Sequence, residues 1–360
     1  VLMGRATGRI GDPSGKDQER DLKSAEELDD NLAHQRLQFE RLLDFSDLPN
    51  KAQMVNNLDF YRSMNVLDFL RDVGKSINIS YMLAKDSVKS RLDKGLSFTE
   101  FSYQLLQAYD FQCLYQQNDC IIQMGGSDQW GNITSGTEFI RRNLSAKAYA
   151  ITTPLLTKTD GSKFGKSAEG NIWLDPNLTS PYKFYQFWIN TDDIDLPKYL
   201  RYFSFKSKTE IEADEELFKN DLQSLKKVLA EEMTIRIHGE EAYASVLKVS
   251  ELVFGRQVDH LFLESLNRSD WLAVTSEIPS FTLERAEAEK GINVIDFIAE
   301  STGIVQSKSD GRRAIQGNAL AINKLKIKSL DHMVTEGDFM NNEFMLIENG
   351  KKNKYAIQLV

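Results

Sequence analysis

The spacing of apolar positions changes along the chain, and the changes divide it. Between Val1 and about Tyr149, short apolar runs such as 120–124 alternate with stretches whose apolar residues recur every three to four positions. Runs of the first kind fit buried strands and the recurrences fit amphipathic helices, so this segment predicts an α/β domain with helices covering a parallel sheet. From about Ser180 to Ile278 the strand signal fades and helical periodicity dominates. Leu222, Leu225, Leu229 and Met233 share one helix face, Gly239 is placed as its stop, and a second helix over 240–254 ends at Gly255. The segment 279–291 is charged and weakly patterned, as expected of a linker. Beyond it the pattern predicts a helix from Val294 to Thr302 stopped by Gly303, and another N-capped by Ser307 that runs to Gln316. Short strands follow, and Asn349-Gly350 between two apolar runs predicts a hairpin. The opening Val-Leu-Met-Gly reads as the tail of a buried strand entered in mid-course, so a preceding segment is expected.

Composition narrows the functional classes. A chain of 360 residues has room for two or three domains. Its 44 basic and 53 acidic residues give a net charge of -9, which excludes a protein that coats nucleic acid through bulk positive charge. Any RNA contact must be local. The tail from Gly291 to Val360 holds nine basic and eight acidic residues, so the whole net negative charge lies before it. Cys113 and Cys120 lack C-x-x-C spacing and read as free thiols of a reducing cytoplasm. No apolar run approaches the roughly 20 residues of a membrane-crossing helix.

Several clusters carry candidate chemistry. Gly11-Asp12-Pro13-Ser14-Gly15-Lys16 follows the opening strand, where an open parallel sheet binds ligands. It is not a P-loop, since Ile10 and Asp17 stand where glycine and Ser or Thr are required, and it reads equally as a Pro-Ser-Gly turn. Tyr103, Gln107 and Asp110, at i, i+4 and i+7, align three polar tips on one face of a helix rich in Phe and Leu. They suit a small polar ligand or a solvated stripe. Gly125-Gly-Ser-Asp-Gln-Trp-Gly131 runs from a strand into a glycine loop whose backbone N–H groups could face a ribose or phosphate; a plain turn is the alternative. Lys163-Phe-Gly-Lys-Ser167 puts two ammonium groups beyond an Asp160-Gly161 turn, either to close over phosphate or as a lysine-rich surface loop. In the tail, Lys308, Arg312 and Arg313 share one side of a short helix, and Lys324, Lys326 and Lys328 follow a strand. That set suits an RNA backbone or solvent.

In order and spacing these motifs, with Ser180-Pro-Tyr-Lys-Phe-Tyr-Gln-Phe-Trp-Ile-Asn-Thr-Asp192, resemble bacterial-type tyrosyl-tRNA synthetases over nearly the whole chain. The resemblance implies a class I synthetase: a Rossmann-type catalytic domain over 1–179, an α-helical anticodon-binding domain over 180–278, a linker over 279–290 and a small α+β RNA-binding domain of the S-four type over 291–360. It implies that Asp12, Tyr103 and Gln107 hold the α-ammonium of L-tyrosine with Asn57 nearby, that Asp110 binds the phenolic hydroxyl and that Gln129 meets the carboxyl group. It assigns Gly126 and Asp128 to the adenosine ribose, Lys163, Lys166 and Ser167 to a mobile loop over ATP, Lys16 and Arg20 to the departing pyrophosphate, and Lys308, Arg312 and Arg313 to tRNA. ATP is implied as a substrate with Mg2+, without a prosthetic group or a dedicated metal site. A cytoplasmic homodimer with its contact near Phe98 is implied as well.

The implied reaction joins the tyrosine carboxylate to the α-phosphate of ATP and then passes the tyrosyl group to the 3' end of tRNA(Tyr). Positioning and electrostatics, rather than a nucleophilic side chain, carry such a reaction. The sequence departs from the family in lacking His-Ile-Gly-His and the strand before it, and His34, His238, His260 and His332 lie elsewhere. Two further readings stand beside this one: a non-catalytic tRNA- or structured-RNA-binding relative, and a tryptophanyl-type enzyme. Asp110 and the appended tail favour tyrosine.

Overall fold

The structure is a computed structural model that describes residues 1–14, 20–92, 95–162, 164–167, 170–255, 258–350 and 353–360, excepting the side chains at 87, 90, 166 and 167. The chain divides into two compact units, Val1–Phe164 and Gly165–Val360.

In the first unit the strands lie in two parallel pairs, Leu2–Met3 with Val55–Asn56 and Ile122–Gly126 with Tyr149–Thr153. Parallel strands need long crossovers, and helices Ala25–Leu42 and Trp130–Leu144 supply them. The expected strand-helix alternation is present, although among the described residues the strands form two pairs rather than one continuous sheet. Helix Ala25–Leu42 starts at a capping box, in which Ser24 and Glu27 satisfy each other's backbone N–H groups. Helix Phe98–Asn118 starts where the Ser97 hydroxyl accepts the Glu100 N–H at 3.2 Å. It packs on Trp130–Leu144 at Gly136, where a Cβ atom would stand 2.8 Å from the Phe111 ring. Glycine therefore sets how closely these helices approach. Val73, Ile77, Met82, Ala108 and Phe139 form the apolar core around this pair.

In the second unit, helix Leu222–His238 buries Leu225, Leu229 and Met233 as the periodicity predicts, with Leu222 half-buried. It packs on Pro181–Ile189 and stops at Gly239, whose φ of 90° suits glycine. The tail carries a five-stranded sheet in the order Leu325–Lys326, Leu320–Ile322, Phe344–Asn349, Asn353–Leu359, Ser280–Leu283. The predicted hairpin is present, with Phe344 opposite Gln358 and Asn349 opposite Asn353. The expected linker needs correction. Residues 280–283 form a strand parallel to Asn353–Leu359, and Arg285–Lys290 is helical. Phe281 and Leu283 face the core while Ser280 and Thr282 are exposed, an alternation too short to stand out among the charges around it. Trp271 of helix Arg268–Glu277 stacks on Phe344 with ring centroids 5.6 Å apart, and Arg268 pairs with Glu343, so the helical segment and the tail share one unit. Among the described residues no helix is long and apolar enough to cross a membrane.

Candidate active site

The first unit holds two cavities whose linings share Gly4, Thr7 and Tyr103. One, of about 820 Å³, is lined by Tyr103, Gln107, Asp110 and Gln129 together with apolar groups such as Leu114 and Ile133. The other, of about 1160 Å³, is lined by Gly8, Gly11, Asp12, Arg20 and residues of helix Ala25–Leu42. The three polar residues spaced along helix Phe98–Asn118 thus reach one cavity rather than solvent.

Asp110 is 1% exposed and is held from both sides by neutral donors. Asn57, at the C-terminal end of strand Val55–Asn56, donates from Nδ2 to Asp110 Oδ2 at 2.9 Å and to Thr7 Oγ1 at 3.0 Å. Its own Oδ1 accepts the Ala6 N–H at 2.7 Å, which fixes the amide orientation. The Tyr61 hydroxyl lies 2.7 Å from Asp110 Oδ1. Burial pushes the Asp110 carboxyl up to about 6, with the Asn57 and Tyr61 hydrogen bonds pulling the other way. Burial and then the nearby Asp12 charge raise the Tyr103 phenol, so it stays a neutral donor. Gln107 Nε2 donates to Gln123 Oε1 at 3.4 Å.

Asp12 anchors a second cluster. Its carboxylate accepts the Ser14 N–H at 2.9 Å, Gln129 Nε2 at 2.7 Å and Asn132 Nδ2 at 3.3 Å. Arg20 Nε donates to the Asp12 carbonyl at 3.0 Å. The glycine-rich segment after strand Ile122–Gly126 turns into helix Trp130–Leu144, and this turn brings Gln129 and Asn132 against residues 117 to 120 positions earlier. At Gly126 a Cβ atom would stand 2.6 Å from Asp128 Oδ1, so a side chain there would displace the Asp128 carboxylate. Asp128 is exposed.

Lys16 and Lys163 lie outside the described residues, as do the side chains of Lys166 and Ser167. The backbone of Lys166–Ser167 pairs antiparallel with Gly170–Asn171 in the second unit. Ser307 caps helix Lys308–Gln316 as predicted, accepting the Asp310 N–H at 3.2 Å. On that helix Lys308 sits between Asp296 and Glu300 at 2.8 and 3.0 Å, Arg313 pairs with Asp310, and Arg312 is exposed. Cys113 and Cys120 are free thiols, and burial pushes Cys113 up to about 11. Among the described residues no three His, Cys, Asp or Glu side chains cluster as metal ligands.

Spacing did not single out Tyr61, Thr7 or Asn132. Asn132 is 1% exposed and its Nδ2 also lies 3.2 Å from Gln129 Oε1 and 3.3 Å from Ser14 Oγ. The i, i+3 step from Gln129 on a new helix was the available signal for it. Tyr61 and Thr7 had none, because their partners are about 50 residues away in sequence.

Comparison with known proteins places the chain in a family. Residues 1–255 match the family of class I tRNA synthetases (W and Y), and residues 271–357 match the SYY-like C-terminal domain of tyrosine-tRNA ligases. The tyrosine-tRNA ligase of Cytophaga hutchinsonii is 49% identical across 99% of this chain and 84% of its own length. That of Bacteroides fragilis is 46% identical with the same coverage. A C-terminally truncated mitochondrial tyrosyl-tRNA synthetase from Aspergillus nidulans superposes with a TM-score of 0.60 at 32% identity, over 70% of this chain and 76% of that one. The shared fold is thus that of a class I synthetase catalytic domain followed by a tyrosyl-type C-terminal domain. Within that class, the chain belongs to the tyrosine-tRNA ligase family.

Proposed function

We propose that the chain is a tyrosine-tRNA ligase that activates L-tyrosine with ATP and transfers it to tRNA(Tyr), with the tyrosine site in the 820 Å³ cavity. The observation that carries the site assignment is the buried Asp110 carboxylate, held by neutral donors with lone pairs to spare at the wall of a cavity bordered by Tyr103 and Gln107. A phenolic O–H donor is the natural partner of such an acceptor. Asp12, Tyr103 and Gln107 take the α-ammonium, with Asn57 orienting Asp110, and Gln129 takes the substrate carboxyl group.

In the first step a tyrosine carboxylate oxygen forms a bond to the α-phosphorus of ATP while the bond to the bridging oxygen breaks, and pyrophosphate leaves with that electron pair. In the second, a terminal ribose hydroxyl of tRNA attacks the tyrosyl carbonyl and AMP departs. Gly126 and Asp128 hold the adenosine ribose, Lys163, Lys166 and Ser167 stabilise charge on the reacting phosphate, and Lys16 and Arg20 assist pyrophosphate. Magnesium arrives with the ATP phosphates as part of that substrate and offsets their charge.

The helical segment 180–278 serves as the anticodon-binding part and 291–360 as the S-four-type part, where Lys308, Arg312 and Arg313 meet the tRNA backbone. Helix Phe98–Asn118 packs on the turn Phe69–Gly74, and around them Val66, Leu67, Leu70 and Phe98 stay half or more exposed. Such an apolar surface supports a homodimer. Free thiols at Cys113 and Cys120 fit a reducing cytoplasm. Tyrosine-dependent ATP-pyrophosphate exchange, followed by charging of tRNA(Tyr), tests the reading. Both activities are expected, and RNA binding without exchange would reverse the conclusion in favour of a non-catalytic protein.

A further inference from the structure

Asp110 has two side-chain partners, and they differ in what they are able to do. Asn57 is locked: its Oδ1 is taken by the Ala6 N–H and its two Nδ2 protons by Thr7 and Asp110. Tyr61 is not. Its hydroxyl stands 2.7 Å from Asp110 Oδ1 and 2.9 Å from the carbonyl oxygen of Leu106, one helical turn earlier. A phenol has one proton to give and lone pairs to accept with. When Asp110 is ionised both neighbours are acceptors, and the proton goes to the carboxylate because that bond is charge-assisted. When Asp110 is protonated, the carboxyl donates to Tyr61 and the phenol turns its proton to Leu106. Both arrangements leave every group paired, but only the ionised one keeps Asp110 purely an acceptor.

We propose that Tyr61 is a positioning residue for substrate selection: its hydroxyl holds Asp110 in the charge state and orientation that accept the phenolic hydroxyl of tyrosine, and so contributes to preference for tyrosine over phenylalanine. The inference rests on the assignment of Asp110 as the phenol acceptor. Burial and the Asp110 charge raise the Tyr61 phenol, so it remains protonated and available as a donor. The other titratable groups facing Asp110 are Tyr103, Tyr109 and Cys113 on its own helix, each raised by burial and therefore neutral near pH 7. No cation pairs with the Asp110 carboxylate among the described residues. Its ionisation thus depends on two neutral donors, of which Tyr61 is one.

Tyr61→Phe removes one hydroxyl and keeps the ring that packs 5.5 Å from Tyr109. Measured by pyrophosphate exchange and by calorimetric tyrosine binding between pH 5.5 and 8.5, it should raise KM and Kd for tyrosine about twofold at pH 7 and about eightfold at pH 5.5, with kcat nearly unchanged. The acid limb of tyrosine affinity should move up by about one pH unit, since the ionised carboxylate has lost a donor. Affinity should recover toward wild type above pH 8, and the tyrosine-to-phenylalanine ratio should fall about twofold at pH 7 and about eightfold at pH 5.5. A loss of affinity equal at every pH, or an acid limb left in place, overturns the role of Tyr61. Asp110→Asn separates the two assignments. If that variant keeps normal discrimination, the Asp110 reading fails; if it loses discrimination while Tyr61→Phe shifts nothing, only the Tyr61 inference fails.

Discussion

Helix Phe98–Asn118 carries two buried carboxylates, Glu100 in its first turn and Asp110 three turns on, and the surroundings of the two are opposite. Glu100, 2% exposed, receives the Arg91 guanidinium at 2.9 Å, and Arg91 is itself 2% exposed. Asp110, 1% exposed, receives only an amide and a phenol and borders a cavity. A carboxylate matched by a cation is complete within the fold. One left with neutral donors carries a charge that a ligand still has to satisfy, and residues whose pKa values are pushed toward neutrality gather at functional sites. The difference sets Glu100 apart as architecture, and the recognition role proposed for Asp110 rests on it.

The largest way to break that contrast is Glu100→Ala, which strands the Arg91 charge in the interior. A loss of about 3–5 kcal/mol in chemical denaturation is expected. Unchanged stability would mean that Arg91 reaches water and that the pair is not structural. Asp110→Asn should do the reverse. The Asp110 carboxyl titrates at about 6 in the fold against an ordinary 3.8, so between those pH values the folded protein binds more protons than the unfolded chain and stability falls as pH rises. Removing the charge should stabilise the ligand-free protein by about 2–3 kcal/mol at pH 8. Below the unfolded value the native carboxyl is already neutral, and the gain should vanish at about pH 4. Melting curves at both pH values check the sign.

The smallest effect concerns Asp12, a third carboxylate, whose partners are the Ser14 backbone N–H and the side-chain amides of Gln129 and Asn132. Asn132→Ala removes one of these donors together with the link to Gln129. A rise in tyrosine KM of about tenfold, with the tyrosine-to-phenylalanine ratio preserved, is expected because Asp12 is assigned to the ammonium end of the substrate. A fall in that ratio would show that the two ends of the site are not separate.

Much of this site was legible before the fold was known, because helical spacing is local. Tyr103, Gln107 and Asp110 lie on one turn-to-turn stripe, and the cavity does lie along it. What spacing cannot supply is the partner across the fold. Asn57 came only with the family resemblance, and Tyr61 came from neither, since nothing near residue 61 points to a carboxylate 49 positions later. The domain pattern was readable where apolar residues repeat over several turns, as along Leu222–His238, and failed at Ser280–Leu283, where a strand of four residues shows too few alternations. The hairpin was found because Asn-Gly marks a turn between two apolar runs, although Asn349 ends the strand opposite Asn353 and Gly350, with a φ of 79°, lies just beyond it.

The central claim is that Asp110 reads the hydroxyl by which tyrosine differs from phenylalanine. The ratio of kcat/KM for the two amino acids in pyrophosphate exchange, compared between the wild-type protein and Asp110→Asn, tests it most directly. A fall in the ratio of at least about tenfold, carried by tyrosine while phenylalanine changes little, is the predicted result. A folded Asp110→Asn protein that still discriminates as the wild type does would contradict it.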